Sequence, residues 1–254
     1  MKTNHYLFTN LAITLIAAIG LVVSIPSYAQ EEGKEEVQTI AIHSRPLQRV
    51  GNTFESVWLI DNQTVLVPLR KTFEFDIQHR FGVMGNGYTD LFGLYAPSNI
   101  RLGFGYTPIK NMMVGFGFTK ERLLWDVNVK YAILKQGGER DLPVSITYYG
   151  VAAVDTREKE KFIGYNSPAN RYSYFHQLMV ARKVNRDFSI QGSINLSHLN
   201  SVPGFFNTAG DVEATLKNDH LSASVLGRYK ISDAFAFIGN YDHPITKHPQ
   251  ATPK

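Results

Sequence analysis

An all-β fold, an antiparallel up-and-down transmembrane β-barrel, is what this sequence of 254 residues predicts. Three observations lead there. Apolar and polar side chains alternate with a period of two from Thr72 to Phe81, and the pattern recurs down the chain. A secretory-type N-terminus precedes it. The connections between alternating segments are short and long by turns. Two is the strand period, because successive side chains leave opposite faces of a pleated backbone. Repeated dyads of about ten residues mark strands with lipid outside and a polar interior.

Lys2 supplies positive charge, and Leu11 to Ile25 form an almost unbroken apolar run of about fifteen residues, the size of a signal-peptide core. Ser27-Tyr28-Ala29 offers small residues at the two positions a signal peptidase reads. The expected organisation is a cleaved signal peptide over 1–29 and a flexible periplasmic leader over 30–53. A short hairpin or plug segment follows over 54–71, then barrel strands over 72–241 and a disordered tail over 242–254. After the signal no segment approaches the ~18 consecutive apolar residues of a helical span.

Composition narrows the function classes. Lys and Arg number 26 against 22 Asp and Glu, and they form no dense block, which argues against a nucleic-acid footprint. The chain has no cysteine, which removes disulfides, thiol catalysis and Cys-ligated zinc together.

Along the mature chain, Val57-Trp58-Leu59-Ile60 and Val65-Leu66-Val67 are apolar runs separated by Asp61-Asn62-Gln63, which reads as a hairpin. Each arm is too short for a membrane strand of ~9–11 residues. Its expected place is the periplasmic mouth or the barrel interior, with an extra edge hairpin as the alternative. Nine strand candidates follow. In the first, Phe73, Phe75 and Ile77 oppose Glu74, Asp76, Gln78 and Arg80. The second, Asn99 to Tyr106, sets Ile100, Leu102, Phe104 and Tyr106 outward with Arg101, Gly103 and Gly105 inward. The third, Met112 to Thr119, has Gly115 and Gly117 inward. The fourth, Leu123 to Leu134, faces Trp125, Val127, Val129, Tyr131 and Ile133 outward against Asp126, Asn128 and Lys130.

The fifth, Leu142 to Val154, alternates Val144, Ile146 and Tyr148 with Ser145, Thr147 and Tyr149. The sixth, Tyr172 to Arg182, carries apolar and polar residues on both parities. The seventh (Phe188 to His198), eighth (Leu221 to Lys230) and ninth (Ala234 to Tyr241) alternate again. Short connections at 107–111, 184–186 and 231–233 and a moderate one at 135–141 alternate with 82–98, 120–122, 155–171 and 199–219, three of them long. Short turns at one end and long loops at the other are the barrel arrangement, periplasm against exterior.

Phe54-Glu55-Ser56, Phe75 to Gly82, Ile100-Arg101-Leu102-Gly103 and Leu124-Trp125 together resemble an uncharacterised family of outer-membrane β-barrels from Bacteroidota, domain of unknown function 5777. The likeness runs from about Phe54 to Tyr241. It implies fold and outer-membrane location, and no substrate, cofactor or catalytic residue. The resemblance also implies further strands, which such proteins usually have, beyond the point where this sequence stops.

The inward set is the candidate site, an expected lumen lining in which Glu74, Asp76, Arg80, Arg101, Asp126 and Lys130 supply the charge. Either it lines a pore or solute site, or it pairs across strands inside a filled lumen; a barrel of modest strand number favours filling. Acids on the first strand are expected near Arg101 on the second. His79 lies on the outward parity without metal-ligand spacing. Gly103-Phe104-Gly105 and Gly115-Phe116-Gly117 sit within strands and lack the helix a nucleotide loop needs; inward glycine relieves crowding instead. No catalytic, metal or cofactor residue is expected. The expected partners are outer-membrane lipid and the assembly machinery, without nucleic acid. Function reads as a non-enzymatic outer-membrane barrel with a passive transport or permeability role. The alternatives are a closed structural or loop-mediated binding barrel, and a secreted soluble β-sandwich. Nine strands leave the last at the outer rim, where single-chain barrels have even numbers. The expectation is therefore a barrel incomplete at the C-terminus, with the ninth strand as an unpaired edge.

Overall fold

The computed structural model describes residues 52–137, 142–161, 167–202, 204–206 and 212–247. The segment read as a signal peptide, nearly all of the expected leader and the residues beyond 247 lie outside the described residues. The hairpin strands are β1 (Trp58–Leu59) and β2 (Asn62–Gln63). Nine longer strands form one antiparallel sheet: β3 (Phe73–Arg80), β4 (Asn99–Ile109), β5 (Met112–Thr119), β6 (Leu124–Leu134), β7 (Ser145–Asp155), β8 (Tyr172–Lys183), β9 (Phe188–Leu199), β12 (Asp219–Lys230) and β13 (Ala236–Pro244). Each pairs with its neighbour in sequence; β3 and β13 are the edges and do not pair with each other. Within the long connection before β12, β10 (Gly204–Phe206) and β11 (Val212–Ala214) form a two-stranded ribbon that the loop reading of 199–219 did not contain.

The two faces differ as the alternation requires. Phe73, Ile77, Trp125 and Val127 are more than half exposed, whereas Asp126, Lys130, Ser145, Thr147, Gln177, Gln191 and Ser224 on the opposite face are buried. On the outer face Phe75, Phe104 and Phe116 stand directly opposite one another across β3, β4 and β5, with ring centroids 5.0 Å apart at each step.

Several boundaries differ from the sequence reading, for local reasons. The second strand continues to Ile109 across a bulge after Tyr106, leaving only Lys110 and Asn111 as a turn. The fifth begins at Ser145, because Pro143 has no N–H to give the ladder and Leu142 makes only an isolated bridge to Gly137. The ninth starts later and ends later than expected. Phe235 belongs to the turn, accepting backbone bonds from Ile231 and Ser232, and the ladder runs on to Pro244 opposite Ser222. The expectation that Asp242 to Pro244 belong to a disordered tail is therefore corrected. An edge strand tolerates proline because one of its sides has no ladder to supply, and Ile245 and Thr246 still donate to the Leu221 carbonyl.

The hairpin also forms differently. Its turn is Ile60-Asp61, with Leu59 opposite Asn62 and Trp58 opposite Gln63, so Val65 to Val67 lie beyond the paired arm. The segment packs on the polar face of the sheet. Phe54, Leu59 and Val65 bury with Tyr149, Met179, Ala181 and Leu226; Val57 and Val67 bury with Met113 and Ala132. That placement explains the two-faced reading of the sixth strand. Phe175, Met179 and Ala181 are apolar yet face inward, because the hairpin rather than water covers them.

The contacts of Asp61 and Asn62 show that the sheet is curled. Arg80 on β3 donates to Asp61 at 3.0 Å, and Asn62 donates to Asn240 and Asp242 on β13 at 2.9 and 3.2 Å. A flat nine-stranded sheet would separate its edges by roughly 38 Å at ~4.8 Å per strand. Two adjacent residues, with Cα atoms ~3.8 Å apart, reach both edges only because the sheet is curled around them.

Candidate functional site

The six sequence-predicted site residues all stand on the inner face, and the register shows how they are held. Asp76, Gly103, Gly117 and Asp126 lie directly opposite one another across β3, β4, β5 and β6. Two carboxylates thus flank two residues without side chains. Arg101, two positions along β4, lays its guanidinium over the glycines. Nε and Nη2 donate to the two oxygens of Asp126 at 2.9 and 2.7 Å, and Nη1 donates to Asp76 at 3.2 Å. The bidentate side uses the planar fork that Arg has and Lys lacks. A Cβ on Gly103 would collide with the Asp76 carboxylate and the Arg101 guanidinium, and one on Gly117 would collide with Arg101.

Lys130 is fully buried, with Nζ donating to Gln63 Oε1 at 2.7 Å. Glu74 lies within its electrostatic reach, and Glu74 Oε2 is buried without a hydrogen-bond partner. Arg80 does not join the central cluster; it binds Asp61 at the hairpin turn. The six residues therefore divide into an Arg101 triad, Arg80 and Lys130 tied to the hairpin, and Glu74 beside Lys130.

The partners that sequence reasoning missed belong to the hairpin and to the amide residues facing it. Gln191 accepts from the Val65 amide at 2.9 Å and donates to the Gln63 carbonyl at 2.7 Å. Gln177 donates to Asn62 at 3.1 Å, Thr147 donates to the Val65 carbonyl at 2.9 Å, and Arg228 binds Glu55 at 2.6 Å. Thr53, expected in the flexible leader, is buried beside the Ser145 hydroxyl. The only signal in sequence was parity, which places Thr147 and Gln191 inward without saying what they meet and leaves Gln177, on the two-faced sixth strand, unassigned. Among the described residues no cluster of three His, Asp or Glu side chains could hold a metal ion.

A single curled sheet with an apolar, exposed outer face and a charged, internally bonded inner face defines a membrane β-barrel domain. The two packed sheets of a sandwich, which would bury the outer row of phenylalanines, are absent among the described residues, and the soluble β-sandwich expectation is set aside. The chain belongs to the family described as a membrane bound beta barrel domain (DUF5777), which matches residues 54–254. No curated protein and no solved structure matches the chain.

Proposed function

We propose that this chain is a non-enzymatic outer-membrane β-barrel protein, exported by a signal peptide cleaved behind Ala29 and closed at rest by its own hairpin segment. The observation behind this reading is the set of hairpin bonds and ion pairs to the inner face. They reach β3, β6, β7, β8, β9, β12 and β13. A barrel of this strand number has room for little beyond side chains, and here a backbone segment occupies the space as well. Passive permeability then belongs to a state in which the hairpin has left.

Planar-bilayer recording tests this. The full chain should be electrically silent in buffer. Stepwise currents should appear at urea concentrations below those that unfold the sheet, because locally bonded segments open before the strand ladder does. Stable open channels from the untreated chain would overturn the closed resting state.

A second reading, loop-mediated binding, is favoured by the segment between β3 and β4. Tyr88 and Tyr95 stand more than three-quarters exposed there, on a turn fixed by Asp90, which accepts from Asn86 and from the Gly93 amide at 2.9 Å each.

A further inference from the structure

Between the hairpin turn and the long-loop ends of β3 to β8 lies a cavity of about 230 Å³. We propose that it is a binding site for a small, uncharged ring bearing several hydroxyl groups, by chemistry a monosaccharide. The proposal rests on the hairpin being seated, since Trp58, Asp61 and Gln63 form one wall.

Size comes first. The volume holds about seven or eight waters at ~30 Å³ each and falls below the ~300–1,000 Å³ of drug-sized ligand sites. A single six-membered ring fits; an oligomer does not. Charge comes second. The charged side chains lining the cavity are Asp61, Arg80, Arg101 and Asp126, two of each sign. Arg80 is paired to Asp61 and Arg101 to Asp126, with Asp76 behind it. An anionic ligand would compete with three carboxylates for two guanidiniums, and a cation would compete with two guanidiniums for the carboxylates. A neutral ligand disrupts neither pair.

Hydrogen-bonding capacity comes third. A guanidinium has five N–H donors. Arg101 spends three on Asp76 and Asp126, leaving two. Donors and acceptors from Gln78 and Thr119 join them in the lining. Such mixed, closely spaced groups suit hydroxyls, which donate and accept at once. The rest of the lining is largely aromatic and apolar, with Tyr149 and Phe175 from the sheet beside Trp58 of the hairpin. Trp58 meets Tyr149 edge-on, with centroids 6.2 Å apart and planes at 82°, and Tyr149 meets Phe175 at 6.3 Å and 66°. The lining thus includes aromatic surface, and a pyranose presents a C–H face to such surfaces while its rim carries the hydroxyls.

Trp58 provides the readout. The chain has two tryptophans, Trp58 in the cavity wall and Trp125 on the outer face. In a Trp125→Phe background of the full chain in detergent, D-glucose, D-galactose and N-acetyl-D-glucosamine are titrated at millimolar concentrations, with inorganic phosphate and citrate as charged probes. A saturable change in Trp58 emission with at least one neutral sugar, abolished by Ala153→Leu in the cavity wall, supports the site. Ala153→Leu adds only apolar volume on the inner face of β7, and circular dichroism checks that the sheet is intact. A response that survives this filling places binding elsewhere and overturns the proposal, as does a response to phosphate or citrate alone, or none at all. Trp58 emission without ligand separates the two failures: a solvent-exposed spectrum means the hairpin is unseated, whereas a buried spectrum without a sugar response rejects the sugar site alone.

Discussion

Arg101 can lie between two carboxylates only because Gly103 and Gly117 have no Cβ beneath it. The consequence is testable at Gly117. Gly117→Ala forces the guanidinium to shift off Asp126 and should cost about 1–3 kcal/mol, the usual range for overpacking. Gly192 on β9 is the control, because a Cβ there meets nothing within 4 Å. Urea unfolding followed by loss of β-sheet signal should show Gly117→Ala clearly destabilised and Gly192→Ala near neutral; equal midpoints would remove the packing role from Gly117. The charges of this cluster were legible in the sequence because parity alone sends Asp76, Arg101 and Asp126 to one face. Their partnership was half legible. That the acids of the first strand would approach Arg101 follows from adjacent pairing, but the bidentate contact from β4 to Asp126 on β6 skips over β5. Such a reach needs the glycine row to be seen as space rather than as curvature.

The hairpin is the element whose character the sequence hid best. Its apolar runs were evident, but the turn falls at Ile60-Asp61, with Ile60 in the left-handed region at φ 55°. A β-branched residue is the last expected there. The surrounding bonds fix that turn: Asp61 to Arg80, Asn62 to three inner-face residues, and Gln63 to Lys130. The same effect blurred β8, whose inward Met179 and Ala181 obey the hairpin's packing rather than a lumen's polarity. Gln191 gives the cleanest test of this element. Gln191→Leu leaves the Val65 amide and Gln63 carbonyl without partners, at about 1–3 kcal/mol for each buried group. Hydrogen exchange should show the Val65 amide losing protection while the β8–β9 ladder keeps its own. Unchanged protection at Val65 would mean the hairpin does not depend on this contact.

At the scale of the whole molecule the sheet separates two solvents. Val127 on β6 is 62% exposed and Asn128 beside it faces inward, bonded to Asp126 at 3.4 Å. An Arg on the lipid side at mid-membrane costs roughly 2–4 kcal/mol in a barrel. Val127→Arg should therefore impair assembly, scored as heat-modifiable mobility in gels, while Asn128→Arg assembles. The reverse ranking would invert inside and outside. The all-β antiparallel sheet and the facing of most strands were the most legible features, since period two carries them everywhere but on β8. The edges were partly legible. An unpaired ninth strand was anticipated, but its extension to Pro244 depends on tolerance at an edge that residue-by-residue propensity does not register. With nine strands, β3 and β13 run in the same direction, so any seam between them would be parallel rather than antiparallel.

The bonds from Asn62 to Asn240 and Asp242 also bear on the order of events during biogenesis. They join residues 178 and 180 positions apart in the chain, among the longest-range contacts a protein of this size can make. Contacts of such separation are slow to form, because a long loop must close before they reward it. The hairpin is synthesised ahead of every membrane strand, yet its last bonds wait for β13. A preformed cylinder would have to be threaded by a bonded two-stranded turn. It is simpler for the strands to be laid down one after another around the waiting hairpin, which then serves the nascent sheet as a mandrel.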